Sequence, residues 1–174
     1  MKELWVEKYR PKSIDGYVFR DDHQRKQVET WIKDRSIPHL LLSGNAGIGK
    51  TTLAKIISQR LNAVWLNADE VRKQCDDWDF SEEGRRRQSL RMWTMAEEAA
   101  DRGRNVVADF VCPTEETRSQ FKADYTVWMD TIKEGRFEDT NRMFQPPVKY
   151  DFRVTHKEAD MWAFLITQDI RDRK

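Results

Sequence analysis

The chain has 174 residues, a length that fits one domain with a hydrophobic core of ordinary size. Its 31 basic and 30 acidic residues nearly cancel, so the charge balance does not favour a nucleic-acid partner and an anionic ligand would need a local site. No stretch is apolar enough for a signal peptide or a membrane span, which predicts a cytoplasmic protein with no membrane partner. The two cysteines, Cys75 and Cys112, are predicted to be free thiols.

The first predicted elements are a helix, a strand and a second helix. Apolar residues recur at helical spacing from Asp21 and a proline follows, so we expect a helix that ends near Ser36. The apolar run His39–Ser43 predicts a buried strand. Apolar residues on one face of Lys50–Leu61 predict the helix that comes next.

The segment between this strand and this helix has the spacing G-x-x-x-x-G-K-T, which is typical of a phosphate-binding loop. Glycines let backbone N–H groups point at phosphate oxygens, and the helix N-terminus adds partial positive charge. We expect Lys50 to contact the terminal phosphates of ATP and the Thr51 hydroxyl to bind Mg²⁺. The predicted ATP-binding residues are Gly44, Asn45, Ala46, Gly47, Ile48, Gly49, Lys50, Thr51 and Thr52. A glycine-rich turn with an incidental lysine is the alternative, and the flanking strand and helix disfavour it.

Beyond this helix the chain alternates between short apolar runs and helical patterns. Further strands are predicted over Ala63–Asn67, Asn105–Phe110, Tyr125–Met129 and Tyr150–Val154. One helix is predicted from a cap at Ser81 to a stop at Gly103, and another over His156–Arg173. Residues 134–149 are polar and contain two consecutive prolines, which predicts a loop or lid.

This alternation predicts an α/β fold: a P-loop NTPase three-layer sandwich with a mostly parallel five-stranded sheet. Ligands of such sheets bind at the carboxyl ends of the strands. We predict a single P-loop domain over residues 1–174, with an N-terminal extension over 1–37, a nucleotide-binding core over 38–155 and a C-terminal helix over 156–174.

Two aspartates at predicted strand ends are candidate catalytic residues beside Lys50. Asp69 follows the second strand, where a carboxylate could bind Mg²⁺ through water or accept the proton of an attacking hydroxyl; a helix-capping role is the alternative. Asp109 follows three apolar residues of the third strand and is a second Mg²⁺-linked candidate, against a local role satisfied by backbone. The predicted metal ligands are therefore Thr51 and Asp69.

Arginines and aromatic residues are the candidates for binding a second substrate. Arg72, Arg85 and Arg91 could clamp a phosphate or phosphosulfate, whereas the run Arg85-Arg86-Arg87 is also typical of a solvated helix face, which we favour for Arg86 and Arg87. Phe80 and Phe110 could sandwich a purine or belong to the core. The apolar stretch Met161–Ile166 predicts docking on the sheet, with a homodimer contact as the alternative.

The N-terminal third resembles the small subunit of a sliding-clamp loader of the AAA+ class, phage type. The resemblance rests on Trp5-Val6-Glu7-Lys8-Tyr9-Arg10-Pro11, on Ile37–Gly44 and on the loop itself. It implies that Tyr9–Pro11 lies beside the adenine. The resemblance stops after the loop, because Asp109 is followed by phenylalanine where that family has Asp-Glu, and the Ser-Arg-Cys motif and the collar domain are absent.

From about Lys50 to Val154 the chain resembles adenylylsulfate kinase, particularly short phage-type relatives. Three segments carry the resemblance: Leu66-Asn67-Ala68-Asp69-Glu70-Val71-Arg72, Phe80-Ser81-x-x-x-Arg85-x-x-Gln88-x-x-Arg91, and Asp109-Phe110-Val111-Cys112-Pro113. It implies that Arg72, Phe80 and Arg85 hold an acceptor nucleotide and that Asp69 lies near the attacked phosphate. The family's lid motif Arg-Asp-Pro-Lys-Gly-Leu-Tyr has no counterpart between Met129 and Phe144.

The sequence therefore resembles a hybrid of the two families, joined near Gly49–Lys55, where both families have similar residues. The favoured function is a small-molecule kinase that transfers the terminal phosphoryl group of ATP to a ribose hydroxyl of adenylylsulfate or a related nucleotide, with Mg²⁺ as cofactor. The alternatives are an AAA+-derived ATP-binding module without kinase activity and a P-loop protein that binds nucleotide but transfers nothing.

Overall fold

A computed structural model of the chain describes residues 39–132, 135 and 137–173. The helix predicted to end near Ser36, the extension over 1–37 and the segment Tyr9–Pro11 lie outside the described residues. The single domain over 1–174 therefore stays a prediction.

Five parallel strands form one sheet in the order β2-β3-β1-β4-β5. The strands are β1 (His39–Ser43), β2 (Val64–Asn67), β3 (Val106–Phe110), β4 (Tyr125–Met129) and β5 (Phe152–Val154). Every residue of β1 and β3 is buried, which is why both strands have continuous apolar runs rather than alternating ones. In the sheet register Ser43 pairs with Phe110, and Asn67 pairs with Asp109, so these strand ends share one edge.

Helices cover both faces of this sheet. They are α1 (Lys50–Leu61), α2 (Ala68–Gln74), α3 (Glu82–Asp101), α4 (Glu115–Phe121), α5 (Glu138–Met143) and α6 (Ala159–Asp172). One hydrophobic cluster joins α1 and α6 to the sheet, and a second joins α3 and α4 to it. The predicted three-layer P-loop fold is thus confirmed. No helix in the described part of the chain is long and apolar enough to cross a membrane.

The predicted ends of the long helix α3 are also confirmed. The Ser81 side chain accepts a hydrogen bond from the Gly84 N–H at 3.1 Å, which caps the first turn. Gly103 follows the last turn with a φ of +71° and donates its N–H to the Ala100 carbonyl.

The prediction of a loop or lid over residues 134–149 needs one correction: the segment is not a loop throughout, because the short helix α5 lies inside it. Only Thr140 of this helix is buried, so the sequence shows no apolar periodicity there. The helices α2 and α4, each of seven residues, also have no predicted counterpart.

Docking of the apolar stretch in α6 is confirmed for one face of the helix. Ala163, Ile166 and Ile170 are buried in the cluster that contains β1 and α1. Met161, Phe164 and Leu165 are partly exposed on the same helix, and the homodimer contact stays a prediction.

Candidate active site

The phosphate loop connects β1 to α1 at the carboxyl edge of the sheet. A Cβ atom added to Gly44 would lie 2.6 Å from both the Ile48 side chain and the Met129 carbonyl oxygen, so no larger residue fits there. Gly49 precedes α1 with a φ of +91°, a left-handed conformation that favours glycine. These two glycines fix the tight turn that brings the N-terminus of α1 to the site.

Lys50 lies within this loop and contacts its backbone. The Lys50 Nζ donates to the Gly44 carbonyl at 2.8 Å and to the Asn45 carbonyl at 2.5 Å. Burial lowers the pKa of Lys50 to about 8, while the charges of Asp109 and Asp69 act in the opposite direction. An anion at the loop would therefore stabilise the charged form of this side chain.

Asp109 is a buried carboxylate that accepts hydrogen bonds from three side chains. Thr51 Oγ1 donates to its Oδ2 at 2.9 Å, Trp65 Nε1 donates to its Oδ1 at 2.8 Å, and Asn67 Nδ2 lies 3.1 and 3.2 Å from the two oxygens. Burial raises the pKa of Asp109, and these three hydrogen bonds oppose that rise. Its partners are thus side chains of α1 and β2. Trp65 was not predicted as a site residue, since an aromatic residue on a strand is typical of the core.

Asn67 connects Asp109 to the first turn of α2. Its Oδ1 accepts hydrogen bonds from the Asp69 and Glu70 N–H groups, each at 3.1 Å, while its Nδ2 donates to Asp109. The residue that caps α2 is therefore Asn67 and not Asp69. The Asp69 side chain lies in the first turn of the capped helix and borders the same cavity as Lys50.

On the opposite side of the cavity, Arg72 and Phe80 lie in contact. The Arg72 guanidinium is 4.7 Å from the centroid of the Phe80 ring, and its Nη1 donates to the Asp77 carbonyl at 3.0 Å and the Asp79 carbonyl at 2.8 Å. Arg72 is buried, and this burial lowers its pKa. The arginine thus supports the loop that presents Phe80, whose side chain remains 47% exposed.

Arg85 joins the Phe80 loop to the helix α5. Its Nε donates to the Phe80 carbonyl at 2.9 Å, and its Nη2 donates to Thr140 Oγ1 at 3.1 Å and lies 3.4 Å from Asp139 Oδ2. Burial lowers the pKa of Arg85, and the charge of Asp139 opposes this. The buried Arg85 and Thr140 therefore hold α5 against the body of the domain.

The other arginines of α3 do not line the cavity. Arg86 pairs with Glu116 at 3.0 Å and Arg87 pairs with Asp79 at 2.8 Å, both at partly exposed positions that fit a solvated helix face. Arg91 pairs with Asp77 at 2.9 Å. Of the three arginines considered for a phosphate clamp, the structure brings Arg72 and Arg85 to the cavity.

A cavity of about 450 Å³ joins the phosphate loop to this arginine-containing side. The predicted site residues that line it are Ala46, Gly47, Gly49, Lys50, Thr51, Asp69, Arg72, Phe80, Arg85, Asp109 and Phe110. Gly44, Asn45, Ile48 and Thr52 are not among its lining residues. The two candidate carboxylates thus border the same cavity as the predicted ATP-binding and acceptor-binding residues.

Of the two roles considered for the Phe80 and Phe110 rings, a purine sandwich or the core, the structure favours the core for Phe110. Phe110 is only 6% exposed and packs edge-on against Phe121, with 5.3 Å between the ring centroids. A second exposed aromatic side chain at the cavity is Phe137, which is 51% exposed and was not predicted. It is one of two phenylalanines in the polar segment 134–149, and no periodic apolar pattern marks it.

The model of one protein family, described as adenylylsulphate kinase, matches residues 37–133, more than half of the chain. The chain belongs to the adenylylsulphate kinase family. The match confirms the predicted resemblance to adenylylsulfate kinase.

The second resemblance, to a clamp-loader small subunit, is confirmed by curated relatives named replication factor C small subunit. The protein from Thermofilum pendens is 40% identical over 78 residues, which cover 41% of this chain and 24% of that protein. The one from Methanococcus vannielii is 43% identical over 81 residues, which cover 41% of this chain and 25% of that protein. The chain thus spans about a quarter of the length of these relatives. It combines membership of the adenylylsulphate kinase family with a segment similar to replication factor C small subunits.

Solved structures of kinases share the fold of this family member. The APS kinase CysC of Mycobacterium tuberculosis, solved with AMPPNP and APS, is 20% identical with a TM-score of 0.66 over 78% of this chain and 99% of that chain. A shikimate kinase from Acinetobacter baumannii, solved with shikimate, is 20% identical with a TM-score of 0.56 over 82% of this chain and 98% of that chain. At these identities the similarity establishes the fold.

Proposed function

We propose that this chain is an ATP-dependent kinase that transfers the terminal phosphoryl group of ATP to a ribose hydroxyl of a nucleotide such as adenylylsulfate. The observation that carries the proposal is the single cavity bordered by the phosphate loop, by Asp69 and Asp109, and by Arg72, Phe80 and Arg85. Phosphoryl transfer depends mostly on positioning two substrates in line, and one cavity with two chemically different sides suits that task.

The triphosphate is assigned to the phosphate loop. Its backbone N–H groups and the N-terminus of α1 would hold the phosphate oxygens, and the Lys50 ammonium would exchange its two carbonyl partners for the terminal phosphates. The APS kinase solved in complex with AMPPNP and APS shares this fold, which supports a nucleotide ligand for this chain.

The residues around Thr51 fit a magnesium ion by their chemistry. The Thr51 hydroxyl and the Asp109 carboxylate are hard oxygen donors held 2.9 Å apart. Within residues 39–132, 135 and 137–173, no group of three or more His, Cys, Asp or Glu side chains could hold a metal ion, so we assign Mg²⁺ to Thr51, water and the phosphates, with Asp109 or Asp69 linked through water. Bound Mg²⁺ would neutralise charge on the phosphates during transfer.

The acceptor is assigned to the arginine side of the cavity. Phe80 offers an exposed ring for stacking a nucleotide base, with Phe137 as a second aromatic side chain at the same cavity. Arg85 and Arg72 supply the positive charge there, and Asp69 is the proposed acceptor of the proton from the attacking ribose hydroxyl.

An ATP-binding AAA+-derived module without kinase activity is the second candidate, favoured by the replication factor C matches. Such a module would hydrolyse ATP without an acceptor, or only in the presence of primed DNA or a sliding clamp. Measuring ATP consumption with and without acceptors and primed DNA therefore separates the two candidates.

The test of the kinase proposal is ADP release across a panel of adenylylsulfate, nucleosides, nucleotides and sugars. We expect release to depend on a nucleotide acceptor, to fall about 100-fold in Asp69→Asn because the proton acceptor is lost, and to show an acceptor KM raised about tenfold in Arg85→Ala. Release that is equal with every acceptor, or unchanged in both variants, rejects the proposal.

A further inference from the structure

At the acceptor side of the cavity, a carboxylate of the protein itself lies next to the buried Arg85 guanidinium. Asp139 Oδ2 is 3.4 Å from Arg85 Nη2, and both residues line the cavity. The Arg85 side chain is 8% exposed whereas the Asp139 side chain is 66% exposed. The cation is therefore fixed in the wall, and its carboxylate partner reaches it from the solvent side.

The other contacts of Arg85 keep it in place when Asp139 moves. Its Nε donates to the Phe80 carbonyl, and its Nη2 also donates to Thr140, whose side chain is buried. Asp139 has no such constraint from burial, and an ion pair with one exposed partner contributes little to stability. An anion that enters the cavity can therefore displace the carboxylate while Arg85 stays.

We infer that Asp139 is a specificity-determining residue, whose carboxylate occupies the anion position beside Arg85 and lowers the affinity for acceptors that carry negative charge there. This inference rests on the proposed function, since it assigns the charge class of the acceptor. A phosphosulfate or phosphate group must displace Asp139 or bind next to a like charge, and both cost binding free energy. An uncharged nucleoside incurs neither cost.

The neighbouring residue Glu138 provides a matched control for this inference. Glu138 and Asp139 are both acids in the first turn of α5, so each contributes similarly to the stability of that helix terminus. The Glu138 carboxylate forms its ion pair with Arg142, and neither residue lines the cavity. Glu138→Gln therefore removes the same charge from the same helix without changing the surroundings of Arg85.

The experiment compares Asp139→Asn, Glu138→Gln and the unmodified full chain. For each protein, KM and kcat are measured with adenylylsulfate, AMP and adenosine at saturating ATP, and calorimetry gives the Kd of adenylylsulfate and of an ATP analogue. We expect Asp139→Asn to lower KM and Kd for the two anionic acceptors about three- to tenfold, with kcat, the adenosine KM and the ATP-analogue Kd within about twofold. Added salt should reduce the difference.

The inference is overturned if Asp139→Asn and Glu138→Gln have equal KM and Kd values for the anionic acceptors. It is also overturned if Asp139→Asn binds adenylylsulfate more weakly than the unmodified chain. If no acceptor supports transfer, the proposed function fails, and the calorimetric comparison still decides the role of Asp139. Adenylylsulfate binding that is undetectable in every protein overturns the inference as well. A gain that is as large for adenosine as for the anionic acceptors also overturns it, because it would reflect a general opening of the cavity.

Discussion

The two sides of the cavity are built in different ways. The phosphate-loop side comes from one continuous segment, Gly44–Thr51, at a single junction between a strand and a helix. The acceptor side comes from four separate parts of the chain: α2, the loop before α3, α3 itself and α5. These parts are joined by Arg72 and Arg85, which donate hydrogen bonds to backbone carbonyls and to the side chain of Thr140.

This difference determines what each side gives up when a ligand binds. On the loop side Lys50 would have to leave two carbonyl partners, whereas the glycine backbone that is proposed to hold the phosphates is fixed in advance. On the acceptor side the arginines are already used to hold the structure together, so a ligand shares them with the protein. We therefore expect substitutions on the loop side to have larger and cleaner effects on binding.

The largest effect is expected for Lys50→Ala. Loss of a charged contact to the terminal phosphates should weaken ATP binding by at least about 100-fold, while the acceptor affinity changes little. Calorimetry with an ATP analogue and with adenylylsulfate measures both quantities. The control is Lys55→Ala, which removes an exposed lysine of the same helix that lies 4.8 Å above the Trp65 ring. ATP affinity that is equal in the Lys50 and Lys55 variants would show that the loop does not bind triphosphate as proposed.

A smaller effect, confined to the acceptor side, is expected for Phe80→Ala. Loss of base stacking should raise the acceptor KM about tenfold, with little change in the free energy of unfolding because the ring is 47% exposed. Phe110→Ala should instead lower the free energy of unfolding by about 3 to 5 kcal/mol, because that ring is buried against Phe121. Steady-state kinetics and urea denaturation measure the two quantities. The assignment of the two rings is wrong if Phe80→Ala changes only stability.

The smallest effect is a pH dependence on the loop side alone. Burial lowers the pKa of Lys50 to about 8, so its charged form, which is proposed to bind triphosphate, is lost as the pH rises through that value. ATP affinity should fall by up to about eightfold between pH 7.5 and 9.0, the factor by which the charged fraction of a group with a pKa of about 8 decreases. The acceptor Kd should stay constant there, since arginine remains charged.

Lys50→Arg serves as the control for this pH dependence, because arginine keeps its charge throughout the range. Its ATP affinity is expected to be weaker at pH 7.5 but nearly constant up to pH 9.0. The same decline in both proteins would assign the titration to another group.

The contrast between the two sides also explains what the sequence could predict. The strands, the phosphate loop and the cap of α3 at Ser81 depend on local patterns, and the structure has them where those patterns are. The contact between Thr51 and Asp109 joins residues 58 positions apart, and no local pattern encodes it. The sheet register brings them together, since β1 and β3 are neighbours although β2 lies between them in the sequence.

The helix α5 and Phe137 show the limit of pattern-based prediction most clearly. The segment 134–149 has no apolar periodicity, because α5 is held by the polar contact between Arg85 and Thr140 and not by an apolar face. For Phe110 the sequence left two roles open, a purine contact or the core, and the packing against Phe121 places its ring in the core.

The hydrogen bonds of Asn67 restrict which amino acids can occupy that position. The residue must offer an acceptor to the start of α2 and, from the same short side chain, a donor to the buried Asp109 carboxylate. Aspartate can accept but cannot donate, serine is too short to provide two groups on separate atoms, and glutamine has one methylene too many for the cap. Asparagine meets both demands through the two atoms of one amide group, so position 67 should tolerate fewer substitutions than its partly exposed surface location suggests.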